Sequence, residues 1–243
     1  MTSNRLPARP VLLAGMLAPL WLAMLLLGAG AVDRDVLLAL YARDEPFLAL
    51  AALGFTQLGN WWTVVAVTLA GALLLLWRGK RWGALTLLIA TFTGRALVIL
   101  QKAYFARLRP EEDLRLVEVS YQSFPSGHAA NSTIAYVGLA LMLIDDPKQR
   151  RVAAAAALVL ALLIGISRPM LGVHWPSDVI AGWAFGLLWL ALVFALMALV
   201  HVYRLAVGFD VSVGGTHLSQ SISWIALVVT GLLAAMLFRE ARR

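Results

Sequence analysis

Apolar stretches long enough to cross a bilayer recur along this chain, and its charges gather in the short segments between them. A helix needs about 20 mostly apolar residues to span the hydrocarbon. Stretches of that kind run over residues 10–32, 61–77, 82–100, 126–144, 152–171 and 178–200. Only 14% of the 243 residues are charged and 61% are hydrophobic, whereas a soluble domain is about a quarter charged. The excess apolar surface therefore has to face lipid. Inside lipid every backbone N–H and C=O must be paired within the protein, so the spans are helices. The sequence predicts an all-α, polytopic membrane bundle with a six-helix core.

The segments between and beyond these spans fill in the plan. Residues 10–32 resemble a signal peptide at Ala29-Gly30-Ala31, but the apolar run exceeds the roughly 7–15 residues of a signal core, and we read it as a retained helix. Residues 33–60 mix acids with apolar residues and read as a loop with an interfacial helix near 46–57. The stretch 201–220 reads as a polar connector, and 222–238 as a candidate seventh span, a little short. With no Gly/Ser linker or low-complexity tract, one membrane domain is expected over 1–243, its core about 10–201 and a C-terminal extension over 202–243.

The net charge of +7 would suggest nucleic acid as a partner of a soluble protein. Here the basic residues sit in short loops, where Lys and Arg favour the cytoplasmic side, and no nucleic-acid partner is expected. Placing Arg5 and Arg9 inside also puts Arg78, Lys80 and Arg81, then Lys148, Arg150 and Arg151, and Arg204 inside. The acid-rich loops 33–45 and 111–118 then fall outside. Trp61, Trp77, Trp82, Trp175 and Trp224 lie near predicted helix ends, where the ring suits either the interface or helix packing. Gly182 and Gly186 form a GxxxG pattern that permits close helix approach. The absence of cysteine excludes thiol catalysis, disulfides and cysteine-bound metal.

Three polar clusters stand out, and this topology puts all of them at outer helix ends. The first holds Lys102, Arg109 and Pro110. The second is Pro125-Ser126-Gly127-His128. The third holds Ser167, Arg168, His174 and Asp178. Lys102 and Arg109 are seven residues apart, two helical turns, and would point the same way if the third helix ran on past the bilayer. With Arg168 they offer the charge and forked donors that a phosphate takes. Ser126 and Gly127 open a helix whose free N–H groups favour an anion. His174 and Asp178 are four apart. A carboxylate accepting Nδ1–H would leave Nε2 as a nucleophile, and His128 would be free to protonate a departing oxygen. Arg95, seven residues before Lys102 within the third span, reads either as a deeper contact to a diphosphate or headgroup or as an internal ion pair.

A Lys, six residues and Arg-Pro, then Pro-Ser-Gly-His, then Ser-Arg, five residues, His, three residues and Asp: this pattern resembles the type 2 phosphatidic acid phosphatase (PAP2) superfamily, and every motif position is present. The resemblance covers residues 102–178 and the six-helix hydropathy. It implies a phosphohistidine on His174, His128 as general acid, Asp178 as the partner of His174, and a phosphate held by Lys102, Arg109, Ser126, Gly127 and Arg168. It also implies no cofactor and no metal. The residues suit that, for Glu111, Glu112 and Asp113 are bunched on one loop and no carboxylate cluster suits a two-metal site. The expected function is a lipid phosphate or diphosphate phosphatase acting at the outer face of a bacterial plasma membrane. Its substrate would be of the undecaprenyl diphosphate, phosphatidylglycerol phosphate or phosphatidic acid type. A phosphotransferase that passes the phosphate to another lipid, such as lipid A, uses the same residues. A non-catalytic lipid-phosphate binder would not need the full set, and the haloperoxidases of the superfamily are soluble.

Overall fold

The computed structural model describes residues 8–207, 212–213 and 216–217. The candidate seventh span and Trp224 lie outside the described residues. The regular structure among the described residues is helical, apart from two antiparallel two-residue strands, β1 (Ser212–Val213) and β2 (Thr216–His217), and a long loop runs over 106–126.

Helix α1 (Ala8–Leu27) is followed after a bend of 98° by α2 (Ala31–Leu40). Part of the predicted loop over 33–60 is thus helix. Its acids misled the reading, because Asp33 is buried and closes the bend: it accepts from Ala29 N at 2.6 Å and from Ser177 N at 2.9 Å. Helix α3 (Pro46–Leu58) matches the predicted interfacial helix, with proline at its first turn, where no N–H is needed. Asn60 caps α4 (Trp61–Trp77) by accepting from Trp62 N at 3.2 Å. Helix α5 (Arg81–Phe105) runs five residues beyond the predicted span and stops at Ala106, whose φ of +48° is left-handed.

The fourth predicted span is one helical rod in three parts: α6 (Gly127–Ser132), a π-turn over Thr133–Val137, and α7 (Gly138–Leu143). Ser132 Oγ donates to His128 O at 2.6 Å and Thr133 Oγ1 to Ala129 O at 2.8 Å. Such back-bonding competes with the regular ladder and loosens a helix at that point. Asp146 caps α8 (Pro147–Met170), accepting from Gln149 N at 2.7 Å. Proline again opens α9 (Pro176–Val207), which runs through the first part of the predicted polar connector.

Among the described residues three helices (α5, α8 and α9) are long and apolar enough to cross a membrane, or up to five spans if each bent pair, α1 with α2 and α3 with α4, is one crossing. Much of their surface is apolar and exposed, including Leu73, Val159, Leu192 and Leu199. In this bilayer protein the apolar surface is outside as well as inside. Helix α9 packs along α1 on one side and against α6 on the other. Buried Ala90, Ile134, Val137, Leu190 and Val193 form the central core, and Ala72, Leu75, Ala84 and Leu87 join α4 to α5. Trp183 Nε1 donates to Ala161 O at 3.0 Å and Trp189 Nε1 to Ala90 O at 3.1 Å, so these indoles pair inside the bundle.

The GxxxG pattern does what its spacing permits. A Cβ on Gly182 would lie 2.6 Å from Ser126 O and 2.9 Å from the Ala129 Cβ, and one on Gly186 would lie 2.9 Å from Ala130 O. These atoms are backbone or a short stub, so they cannot turn aside. The absence of side chains seats α9 against the start of α6. Gly182→Leu should therefore lower the unfolding midpoint in detergent by roughly 3–10 °C, the cost of overpacking a close contact. Gly54→Leu, at an exposed glycine with nothing within 4 Å of the added carbon, is the control. Equal midpoints for the two variants would refute the close approach.

Candidate active site

The ends of four helices meet at one end of the bundle. They are the C-terminal ends of α5 and α8 and the N-terminal ends of α6 and α9. The predicted polar clusters lie on these ends or on the chain beside them, and a cavity of about 290 Å³ lies between. Lys102, Arg109, Gly127, His128, Arg168 and His174 line it. Asp178 stands behind His174, fully buried. Ser126 is also fully buried outside the lining, and its Oγ has no partner among the described residues.

Arg109 arrives by a different route from the one its spacing suggests. Helix α5 ends at Phe105, so Lys102 and Arg109 do not share a helix face. Arg109 lies on the loop that follows and is fixed by its own donors. Its Nε donates to Tyr121 O at 2.8 Å, Nη2 to Ser120 O at 3.0 Å, and Nη1 to Val173 O at 2.5 Å and His174 Nε2 at 3.1 Å. Lys102 Nζ donates to Gln122 O at 2.6 Å and Ser123 O at 3.0 Å. Both cations therefore brace the loop before Pro125 while they face the cavity. Arg168 donates from Nη1 to Thr56 Oγ1 on α3, and its buried Nε has no partner among the described residues.

His174 precedes α9 rather than sitting on it, yet its four-residue spacing to Asp178 still works. Trp175 O accepts from Asp178 N at 3.0 Å, which folds the chain so that His174 Nδ1 lies 3.3 Å from Asp178 Oδ2. The tautomer follows from the partners. Guanidinium has donors only, so Nε2 accepts from Arg109 and the ring proton sits on Nδ1, facing Asp178. Gly172 sets up this turn. Its φ is +69°, and a Cβ there would lie 2.0 Å from Leu114 O.

Two residues of this network escaped the sequence reading. Ser123 Oγ donates to Asp178 Oδ2 at 2.5 Å and lies 3.3 Å from His174 Nδ1. Arg107 donates from Nη1 to Asp178 Oδ1 at 3.0 Å, and from Nη2 to Met24 O at 2.9 Å and Leu25 O at 2.6 Å at the end of α1. A basic residue on the side expected to be outer, against the usual charge bias, was the available signal for a buried acidic partner. Trp175, expected at an interface or in helix packing, is 8% exposed and donates from Nε1 to Leu108 O at 2.9 Å, so it packs.

The electrostatics suit an anion and a neutral nucleophile. Burial pushes the His174 imidazole well below its usual range, and Arg109, Lys102 and Arg168 push it further. Burial brings the Arg109 guanidinium down to about 10, against the pull of the Asp178 charge, and it stays protonated at neutral pH. The first N–H groups of α6 have no intrahelical acceptor, which is the usual condition for anion binding at a helix start. Glu111, Glu112 and Asp113 are exposed, with Glu111 paired to Arg34 and Glu112 3.5 Å from Arg115. Among the described residues no group of three or more His, Asp or Glu could hold a metal ion.

Comparisons with known proteins agree with the motif pattern. Residues 83–201 match the PAP2 superfamily. The chain is 33% identical over 163 residues to phosphatidylglycerophosphatase B of Bacillus subtilis, covering 65% of this chain and 79% of that protein. It is 35% identical over 123 residues to the undecaprenyl-diphosphatase of Sulfolobus acidocaldarius, 47% of this chain and 55% of that one. The crystal structure of a transmembrane PAP2 type phosphatidylglycerolphosphate phosphatase from Bacillus subtilis superposes with a TM-score of 0.68 at 30% identity, covering 79% of this chain and 96% of the other. The chain belongs to the PAP2 superfamily.

Proposed function

We propose that this protein hydrolyses a lipid phosphate or diphosphate through a phosphohistidine on His174, without a metal ion, at the outer surface of a bacterial plasma membrane. The observation that carries the reading is the backing of His174: Asp178 holds the Nδ1 side and Nε2 points into a cavity ringed by Lys102, Arg109 and Arg168. The relatives act, by their names, on phosphatidylglycerophosphate and undecaprenyl diphosphate. Those classes and phosphatidic acid are the substrates to try.

The steps follow from the geometry. A phosphate oxygen is a better acceptor than a neutral imidazole, so a bound phosphate draws the Arg109 N–H away and frees the Nε2 lone pair. Nε2 attacks phosphorus, and the P–N bond forms as the P–O bond to the lipid breaks. The leaving oxygen keeps the bonding pair and takes a proton from His128. The ring becomes cationic, and Asp178 stabilises it across Nδ1–H. Water then attacks phosphorus, His128 recovers a proton, and orthophosphate leaves His174. Lys102, Arg109, Arg168 and the first N–H groups of α6 supply the charge stabilisation that a metal gives elsewhere.

His174→Ala should cut turnover by about 10⁴ or more and still insert in the membrane. Asp178→Asn should be less severe, because Asp178 orients the ring without touching phosphorus, although an orienting carboxylate can be worth up to ~10⁴. Phosphate release in detergent measures both, and turnover of His174→Ala above a few per cent of wild type would sink the nucleophile.

Activity should survive EDTA in full. A chelated, inactive enzyme restored by magnesium would contradict the metal-free reading.

Sidedness rests on Arg5 and Arg9, and on the basic segment of Lys148, Arg150 and Arg151 at the opposite end of the bundle from the cavity. The chain has no cysteine, so single ones can be placed without background. A cysteine at exposed Asp113 should react with an impermeant maleimide in intact cells, and one at exposed Gln149 only after lysis. The reverse pattern would put the chemistry in the cytoplasm.

A further inference from the structure

The cavity has a second cationic end, and the phosphate-transfer scheme above does not use it. Arg95 lies on α5 seven residues before Lys102, about 10 Å further from the helix end that carries the site. It lines the same cavity. Among the described residues it has neither an ion pair nor a hydrogen bond. Its guanidinium stacks 4.8 Å over the Trp61 ring, which leaves its in-plane donors free. A charged group within a membrane span is costly without a partner, and such residues mark function.

Arg95 does not stand alone there. A point one Cβ length off Gly127 is 3.6 Å from Arg95 Nη1 and 3.7 Å from Asn131 Nδ2, so the two groups of donors converge beside the start of α6. Asn131 is 2% exposed, faces the cavity, and its Oδ1 has no partner among the described residues. Asn131 also follows His128 by three residues, which puts both on one face of the helix. The polar groups are therefore ordered. His174 marks the attacked phosphorus, His128 the leaving oxygen, and Asn131 with Arg95 whatever is bonded beyond that oxygen.

We propose that Arg95 and Asn131 bind a second phosphate of the substrate, on the lipid side of the scissile bond, so that lipids carrying two phosphates are favoured over lipid monophosphates. This rests on the phosphatase reading given above. In a directly linked diphosphate the group beyond the leaving oxygen is itself a phosphorus. When the P–O bond breaks, the lipid monophosphate keeps the bonding pair and its oxygen takes the His128 proton, while the charge on its remaining phosphate oxygens lies where Arg95 sits. A glycerol-bridged lipid with a phosphodiester offers the same anion a few bonds further on. A lipid monophosphate offers only carbon.

The test is a set of kcat/KM values for the purified full chain in detergent on two matched pairs. One pair is farnesyl diphosphate and farnesyl monophosphate. The other is phosphatidylglycerophosphate and phosphatidic acid. Arg95→Gln should lower the two-phosphate to one-phosphate ratio about 30-fold in at least one pair, the range expected for a lost charge-assisted hydrogen bond. Arg95→Lys, which keeps the charge, should retain most of the ratio. Asn131→Ala should lower it several-fold, and gives the answer independently if the Gln variant does not fold. A change confined to the first pair identifies a direct diphosphate as the source, and one confined to the second a phosphodiester. Equal losses on both members of each pair, or no loss, would overturn the subsite. A wild-type protein that releases phosphate from none of the four lipids would overturn the phosphatase reading itself, and the subsite with it.

Discussion

A single buried carboxylate ties the site together. Asp178 is fully buried and accepts from Ser123 Oγ, Trp175 N and Arg107 Nη1, with His174 Nδ1 alongside. These donors come from the loop after α5, the turn before α9 and His174 itself. Through Arg107 the network reaches the free carbonyls at the end of α1, and through Ser177 it reaches Asp33. An ionised carboxylate buried without such partners would cost many kcal/mol. With them, a charge at the start of α9 is also favoured by the helix dipole. The requirement to satisfy this group is what fixes the loop, the turn and the first helix around one point.

The cations show the opposite balance. Lys102, Arg109, Arg168 and Arg95 face one cavity, whose lining includes one carboxylate, the exposed Glu118, while Asp178 is shielded behind His174. Like charges gathered in a poorly screened space repel one another. The fold tolerates them because each of the first three is braced by hydrogen bonds to carbonyl or hydroxyl oxygens. That bracing holds the charges in place without neutralising them, so under the proposed reading a phosphate dianion would relieve the repulsion on entry. Burial pushes the His174 imidazole well below its usual range, and the same cations push it further, which is the state the proposed attack needs.

Much of the fold was legible because hydropathy reports spans directly. The start of α4, and the start of α3, follow from Asn60 and Pro46, which are local signals. The meeting of the polar clusters at one end was legible from topology alone. What escaped depended on contacts distant in sequence. Asp33 looked like a loop acid, and only its pairing with Ser177, 144 residues away, makes it a bend lock. Arg109 looked helical because two helical turns fit the spacing, but α5 ends in a left-handed residue at Ala106 that no glycine announced. Arg107 and Ser123 sat between recognised motif positions and carried no pattern of their own.

The location of the site follows from what a membrane helix can offer. Within the hydrocarbon the backbone is fully paired and has nothing to give a substrate. At helix ends it does. The start of α6 supplies free N–H groups, and the packing of Gly182 and Gly186 against that segment leaves its first turn little room to shift. One turn further on, Ser132 and Thr133 draw carbonyls out of register and the π-turn absorbs the mismatch, so the strain of shaping the site is taken up below it. Four helix ends brought to one level can then offer a phosphate donors from several sides. Under the proposed reading, a lipid held by its tail would need to raise only its headgroup to that level, so the protein could keep its charges near water and still act on a molecule that never leaves the bilayer.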